Sequence, residues 1–198
     1  MQLGLEGAKT VYLFMGHIKP YKGVEDFIES FKAIREDGVR LLVVGQPLDE
    51  ETGSRIRAAA AGDQRIDLAL HYIPDDSVQL YMNAADVVVF PLRKMHTSGS
   101  ILLMMSFAKP VIAPAIASVP EYVGQDAGIL FDPVDPDGLR KALVMARGQP
   151  LEEMGRAGYE QVVHHGWREF AVKHAGISRR LLPPELLFWV AAVSLLPV

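Results

Sequence analysis

Basic residues occur in two loops of this sequence, and they are the side chains best suited to holding an anion. The first loop contains His17, Lys19 and Lys22, and the second contains Arg93, Lys94 and His96. The second loop runs into the small polar segment 97–100 and then into an apolar segment that ends at Pro110. Ser98 is a good N-cap, and small residues at a helix start leave backbone N–H groups open to a negatively charged ligand. The pattern predicts an anion site made of two basic loops and a helix N-terminus.

Apolar runs alternate with amphipathic segments in the elements that would position these loops. Six runs predict strands, at 10–15, 39–44, 66–72, 86–90, 111–113 and 128–131. Helices are predicted to begin near 24, 50, 75, 98, 135, 151 and 167, with Asp75 or Asp76 and later Asp135 as N-caps. Runs that are apolar throughout are typical of strands buried on both faces. Their alternation with helices predicts an α/β fold with a doubly wound, mostly parallel, six-stranded sheet.

The helix after the second basic loop is apolar on almost all sides, which predicts that it is buried. Met104, Met105 and Phe107 are therefore expected to pack in the core. Glu121 follows Ser118-Val119-Pro120 and is expected to lie in an exposed loop.

The commonest doubly wound sheet has the strand order 3-2-1-4-5-6 and binds its ligand where strands 1 and 4 part. Under that order the two basic loops follow neighbouring strands and meet. The chain as a whole has a formal net charge of −4, so it lacks the general basic surface of a nucleic-acid-binding protein. A local basic cluster on an acidic chain predicts a ligand that carries phosphate.

Three familiar kinds of site are disfavoured by the motifs. The loop after the first strand is not GxGxxG, and the second strand ends in Gly45-Gln46 without an acid for a ribose, which argues against NAD. No GxxxxGK[ST] motif is present, which excludes a P-loop. The chain has no cysteine, and none of its six histidines has metal-ligand spacing with another histidine or an acid. We expect no cofactor and no metal, and the lack of cysteine fits a cytoplasmic protein.

Five segments, taken in order, resemble the C-terminal, donor-binding domain of a family 4 glycosyltransferase with the GT-B fold. They are FMGHIKPYKG at 14–23, VVGQP at 43–47, YMNAADVVVFP at 81–91, TSGS at 97–100 and KPVIA at 109–113. The resemblance runs from about residue 10 to residue 167. It implies a Rossmann-like half of a GT-B enzyme. It also implies a retaining, metal-independent transfer of a sugar from a UDP- or GDP-linked donor.

The same resemblance implies roles for individual residues. Gly16 matches the glycine that lets the loop approach the donor, and Lys22 matches the lysine that neutralises its diphosphate. His17 stands where the family usually has arginine, so Lys22 and His17 are the catalytic candidates. The Gly45-Gln46 turn and the backbone near Ile73 would flank the base. The other donor-binding candidates are Thr97, Ser98, Gly99, Ser100 and Leu103. The backbone amides of Gly99 and Ser100 would face the phosphates.

The sequence departs from the family in two respects. The family has a pair of glutamates, and their positions are occupied here by Met95 and Leu103. The second of these glutamates, at the position of Leu103, would hold the donor ribose. The TSGS form of the segment 97–100 resembles a branch of the family that lacks this pair. The resemblance also implies that the chain begins at the first strand of a donor domain, so we expect the N-terminal acceptor domain of such enzymes to be missing from it. We therefore expect nucleotide or nucleotide-sugar binding without efficient transfer by this chain alone.

Three regions are predicted: a linker or fragment start at 1–9, a nucleotide-sugar-binding domain at 10–166, and a helix with an apolar tail at 167–198. The 13 residues after Glu185 carry no charge, fewer than the ~20 that cross a bilayer. We expect this tail to pack against another domain or a partner chain. Two alternatives for the tail stay open. It could contact a membrane surface, which would make this a peripheral membrane protein, or its sequence could have diverged from the usual C-terminus of the family.

The expected partners are a nucleotide-sugar donor and a glycan, lipid or small-molecule acceptor, without nucleic acid. Two other functions stay open. One is a non-catalytic nucleotide-sugar binding or interaction module, and the other is an enzyme resembling a nucleotide-sugar epimerase.

Overall fold

The computed structural model describes residues 5, 7–92, 99–124 and 126–163. Its strands are β1 (Thr10–Met15), β2 (Val39–Val44), β3 (Ile66–Ala69), β4 (Val87–Val89), β5 (Val111–Pro114) and β6 (Gly128–Phe131). Its helices are α1 (Val24–Lys32), α2 (Glu50–Ala60), α3 (Asp75–Ala84), α4 (Gly99–Met105), α5 (Val119–Val123), α6 (Gly138–Ala146) and α7 (Leu151–Val163). The chain divides into two compact units after Tyr159, and all six strands belong to the first.

The six strands form one sheet in the order β3-β2-β1-β4-β5-β6, with every neighbouring pair parallel. Strands β1 and β4 therefore lie side by side, with Tyr12 opposite Val87 and Leu13 opposite Val88. Strand β1 is buried at every residue, as a central strand covered by helices on both faces must be. The predicted fold class and strand order are confirmed.

Aromatic side chains fill the centre of the core between the sheet and α1. The rings of Tyr12 and Phe31 meet edge to face with their centroids 6.0 Å apart. The Tyr12 hydroxyl donates a hydrogen bond of 2.6 Å to the Leu143 carbonyl of α6. The central strand is thereby joined to a helix far away in the sequence.

Two strands are shorter than the sequence predicts. Strand β3 ends at Ala69 instead of residue 72, because its partner β2 ends at Val44 and the ladder stops there. Strand β4 covers only Val87–Val89 instead of 86–90. Before it, the Asp86 carboxylate accepts a hydrogen bond of 2.7 Å from the Val11 N–H, so a side chain replaces a rung of the ladder.

The predicted caps of two helices are wrong. The N-cap of α3 is Pro74, and Asp75 and Asp76 lie in the first turn, where acidic residues favour the positive end of the helix dipole. The N-cap of α6 is Asp137. The Asp135 carboxylate instead accepts the Asp137 N–H at 2.9 Å, so it closes a turn ahead of the helix.

A short helix replaces the loop that was expected around Glu121. This residue lies in the first turn of α5, and the proline beside it fits the start of a helix. The predicted cap Ser98 and the helix that was predicted to begin near residue 167 lie outside the described residues. Within the described part of the chain, none of the helices has the length and apolar character needed to cross a membrane.

Candidate functional site

A cleft of about 310 Å³ opens at the carboxyl edge of the sheet. It is lined from β1 and β2 and the turns after them by Met15, Gly16, His17, Gly45 and Gln46. The connection from β3 and the start of α3 add Tyr72, Ile73 and Val78, and α4 adds Ser100, Leu103 and Met104. Seven of the predicted donor-binding or catalytic residues thus line one cleft: Gly16, His17, Gly45, Gln46, Ile73, Ser100 and Leu103.

Two glycines bring the turns after β1 and β2 into contact at the floor of this cleft. Gly16 and Gly45 have φ of 138° and 140°, values that residues with a Cβ rarely adopt. A Cβ on Gly45 would lie 2.0 Å from the Gly16 carbonyl oxygen, whereas one on Gly16 would meet no heavy atom within 4 Å. Gly45 therefore permits close packing of the two turns, and Gly16 leaves the space above them open.

His17 is held by the neighbouring turn through one of its ring nitrogens. Its Nδ1 lies 3.1 Å from the Gln46 carbonyl oxygen, which also accepts the Ile18 N–H at 2.9 Å. A carbonyl oxygen only accepts, so Nδ1 carries the proton and Nε2 is the nitrogen available to a ligand.

Lys22 ends a short 3₁₀ turn, Pro20–Lys22, and lies beyond the cleft lining, towards β4. The next residue, Gly23, packs so closely on the end of β4 that a Cβ there would lie 2.1 Å from the Pro91 carbonyl oxygen. Burial lowers the pKa of the half-buried Lys22 ammonium below its ordinary value, and nearby Lys19 lowers this pKa further. Among the described residues no carboxylate pairs with Lys22. Its positive charge is therefore held at a cost that a bound anion would relieve.

Helix α4 forms the wall of the cleft, and its burial differs from the prediction. Met104 and Met105 are buried as expected, but the Leu103 side chain is 52% exposed. Ser100, Leu103 and Met104 are spaced three and four residues apart and so share the helix face that lines the cleft. Gly99 does not line it. Thr97 and Ser98 lie outside the described residues, as does the whole second basic loop, Arg93, Lys94 and His96.

The sequence analysis missed four apolar residues of the cleft: Met15, Tyr72, Val78 and Met104. Tyr72 and Val78 flank Ile73, which was predicted to lie near the base. Since the connection after β3 must emerge at the same edge of the sheet as the other two turns, its apolar residues carried a usable signal.

Two charged residues of the family-like segments have structural partners. Lys109 Nζ donates a hydrogen bond of 2.7 Å to the carbonyl of Ala85, the C-cap of α3. The Asp86 carboxylate accepts a hydrogen bond from the Val11 N–H of β1, as described above. Within residues 7–92, 99–124 and 126–163, no acidic side chain lines the cleft, and no three histidine or acidic side chains are grouped to hold a metal ion.

Comparison with known proteins identifies the family. Residues 9–147 match the family described as glycosyl transferases group 1. A curated relative, the GDP-mannose:glycolipid 4-beta-D-mannosyltransferase of Xanthomonas campestris pv. campestris, is 33% identical over 123 residues. That match covers 61% of this chain but only 35% of the relative, so the chain spans about a third of the relative's length.

Solved structures of glycosyltransferases share the fold. Sucrose-phosphate synthase from Thermosynechococcus elongatus superposes with a TM-score of 0.73 at 24% identity, over 90% of this chain and 46% of that one. The C-terminal domain of a glycosyl transferase group 1 family protein (LpcC) from Francisella tularensis superposes with a TM-score of 0.62 at 22% identity. This second match covers 79% of this chain and 85% of that domain. The sheet is thus the Rossmann-like half of a GT-B fold, and the chain belongs to the glycosyl transferases group 1 family.

Proposed function

We propose that this chain is the donor-binding domain of a glycosyltransferase and binds a nucleoside diphosphate sugar with Lys22 at the diphosphate. The observation that carries the proposal is the half-buried Lys22 ammonium at the end of the turn Pro20–Lys22 after β1, whose pKa is lowered by burial and by Lys19. No ion-pair partner for it exists among the described residues. A diphosphate would supply the missing negative charge.

The strand order supports one direction for the donor. Along the carboxyl edge, the cleft runs over β3, β2 and β1, and Lys22 follows on the side towards β4. Neighbouring strands are about 4.8 Å apart, so β3 to β4 spans about 14 Å. We propose that the base lies between Gln46 and Ile73, the ribose against α4, and the diphosphate at Lys22, near the amides of Gly99 and Ser100.

The first donor to test is GDP-mannose, because the name of the Xanthomonas relative specifies it. UDP-linked sugars are the alternative. We propose that transfer needs no metal, since Lys22 supplies positive charge to the departing diphosphate and His17, when both ring nitrogens are protonated, donates to it through Nε2. The expected result is that a glycosyltransferase containing this domain keeps its turnover after EDTA removes divalent ions.

The stereochemistry of transfer is a separate part of the proposal. The family resemblance implies retention, whereas the name of the Xanthomonas relative specifies a beta-D-mannosyl product. NMR of the product made by a glycosyltransferase that contains this domain gives the anomeric configuration, which decides between them. With an α-linked GDP-mannose donor, an α-mannoside reports retention and a β-mannoside reports inversion.

We propose a glycan- or lipid-linked acceptor, following the glycolipid named for the relative. Transfer requires that acceptor and donor be positioned together with water excluded. The described residues supply a donor cleft, so we expect this chain alone to bind the donor without efficient transfer. Robust transfer by this chain in a turnover assay with UDP- and GDP-sugars would overturn that expectation.

The test of Lys22 is calorimetric titration of GDP and GDP-mannose into the wild type and a Lys22→Met variant. Removing a charge-assisted contact should weaken binding about 10- to 150-fold. The matched control is Lys9→Met, which removes an exposed lysine just before β1, at the opposite edge of the sheet. The control should bind as the wild type does. Equal affinity of the wild type and Lys22→Met would overturn the assignment of Lys22.

A further inference from the structure

A further inference rests on the proposed function and concerns how the cleft treats the ribose of the donor. The sequence has no Asp or Glu from residue 87 to residue 120, a stretch that includes α4 and the loop before it. Among the residues that the structure describes, no acidic side chain from any other element lines the cleft. Asp75 and Asp76 begin α3, yet they too are outside the lining. The described lining therefore offers the ribose hydroxyls no carboxylate.

Leu103 occupies the middle of the α4 wall. It lies one helical turn after Ser100 and next to Met104, and all three residues line the cleft. Its side chain is 52% exposed, although most of the apolar residues around it are buried. An apolar side chain exposed in a cleft gains when it covers carbon surface of a ligand. It cannot accept a hydrogen bond from a hydroxyl.

The ribose is the part of the donor that meets this wall. A ribose joins the base to the diphosphate, so it must lie between the Gln46–Ile73 end of the cleft and the Lys22 end. Three lining side chains that can form hydrogen bonds, His17, Gln46 and Tyr72, belong to the connections after β1, β2 and β3. A fourth, Ser100, lies at the start of α4, one turn before Leu103. Beyond Ser100, the surface that α4 offers to the cleft is formed by Leu103 and Met104 and is apolar.

We propose that Leu103 determines the ribose specificity of the cleft, which binds ribonucleoside and 2′-deoxyribonucleoside diphosphates with similar affinity. A site built to hydrogen-bond a hydroxyl rejects the analogue that lacks it by several orders of magnitude, because its own polar groups are left unpaired. The part of the wall formed by Leu103 and Met104 has no such group to leave unpaired. The 2′-hydroxyl is then not required for binding, and the cleft does not distinguish a ribose from a 2′-deoxyribose.

The experiment measures the dissociation constants of GDP, 2′-deoxy-GDP, UDP and 2′-deoxy-UDP for the wild-type chain by calorimetry. For whichever base binds, we expect the deoxy form to bind less than about fivefold more weakly than the ribo form. A larger ratio with intact binding of the ribo form overturns this inference and leaves the proposed function standing. Failure of all four nucleotides to bind overturns the proposed function, and the inference with it.

A substitution tests Leu103 itself. Leu103→Glu introduces a carboxylate that can accept from the ribose hydroxyls, so the ratio of deoxy to ribo dissociation constants should rise at least about tenfold. Leu103→Gln should move it the same way without adding charge near the diphosphate. The matched control is Leu80→Glu, at a leucine that is 51% exposed on α3 and outside the cleft lining. An unchanged ratio in both Leu103 variants, or an equal change in the control, overturns the role of Leu103.

Discussion

Lys22 is the residue whose electrostatics depend most on a ligand. Burial and Lys19 both disfavour its charged form in the free protein, and a bound diphosphate favours it. Binding of the donor and protonation of this ammonium are therefore linked.

The linkage predicts a pH dependence of binding. Affinity for GDP should be constant while Lys22 is charged and fall as pH rises through its lowered pKa, because the neutral amine no longer attracts the diphosphate. Calorimetry from about pH 7 to about pH 10 measures this, and the Lys22→Met variant should lose the alkaline decline. Wild-type affinity that rises with pH would contradict the linkage.

Gly16 and Gly45 allow the clash between two turns to be measured separately from backbone strain. The two residues have nearly equal positive φ, but only a Cβ on Gly45 meets backbone atoms. Both Gly→Ala variants should therefore lose stability through strain, about 1–2 kcal/mol. Gly45→Ala should lose clearly more, because the Gly16 carbonyl must also move. Denaturant unfolding compares them, and equal losses would mean that the turns separate freely.

At the scale of elements, short connections between strands and helices hold the carboxyl edge in shape. Lys109, at the entry to β5, bonds the C-cap carbonyl of α3, and Asp86, at the entry to β4, bonds the start of β1. Both residues belong to segments that resemble the family. The structure gives them roles in joining elements.

Removal of the Lys109 contact should destabilise the fold without changing the cleft. Lys109→Met leaves the Ala85 carbonyl without this donor, so we expect a loss of about 1 kcal/mol in the free energy of unfolding. Lys141→Met is the control, because Lys141 forms a solvent-exposed ion pair with Asp135, and water and salt screen such a pair so that its loss should change stability little. A Lys109 variant as stable as the control would show that another donor forms a hydrogen bond with the Ala85 carbonyl at the end of α3.

At the scale of the whole domain, one hydroxyl links the central strand to a helix. The Tyr12 side chain is fully buried, and its hydroxyl donates to Leu143. Burial raises the pKa of Tyr12 to about 12, with the Arg147 charge opposing the shift and Asp86 adding to it. The fold therefore favours the neutral phenol.

This coupling predicts how stability changes at alkaline pH. Below the unfolded pKa of 10.0 the preference of the fold for neutral Tyr12 is fully present, and it is lost as pH rises towards about 12. Tyr12→Phe should lose about 1 kcal/mol near neutral pH, and its deficit relative to the wild type should shrink across that window. Denaturant unfolding at a series of pH values measures the difference. A deficit that grows with pH would contradict the assignment.

Much of this architecture could be predicted from local patterns. The apolar run at 10–15 specifies a buried strand because every side chain on both of its faces must be covered. The rule for doubly wound sheets then brings β1 and β4 together, and with them Lys22 and the end of β4. Seven cleft residues could be named, but His17 alone came from the basic-loop argument, and the other six were implied by the resemblance to the family.

Other features required the folded chain, because they depend on which distant segments touch. Nothing local distinguishes Leu103 from its buried neighbours on an apolar helix, and its exposure follows from the cleft that it faces. The partners of Asp86 and Lys109 lie 75 and 24 residues away. Residue type and spacing determine the strands, helices and basic loops, whereas contacts between distant segments determine which side chains remain free to bind.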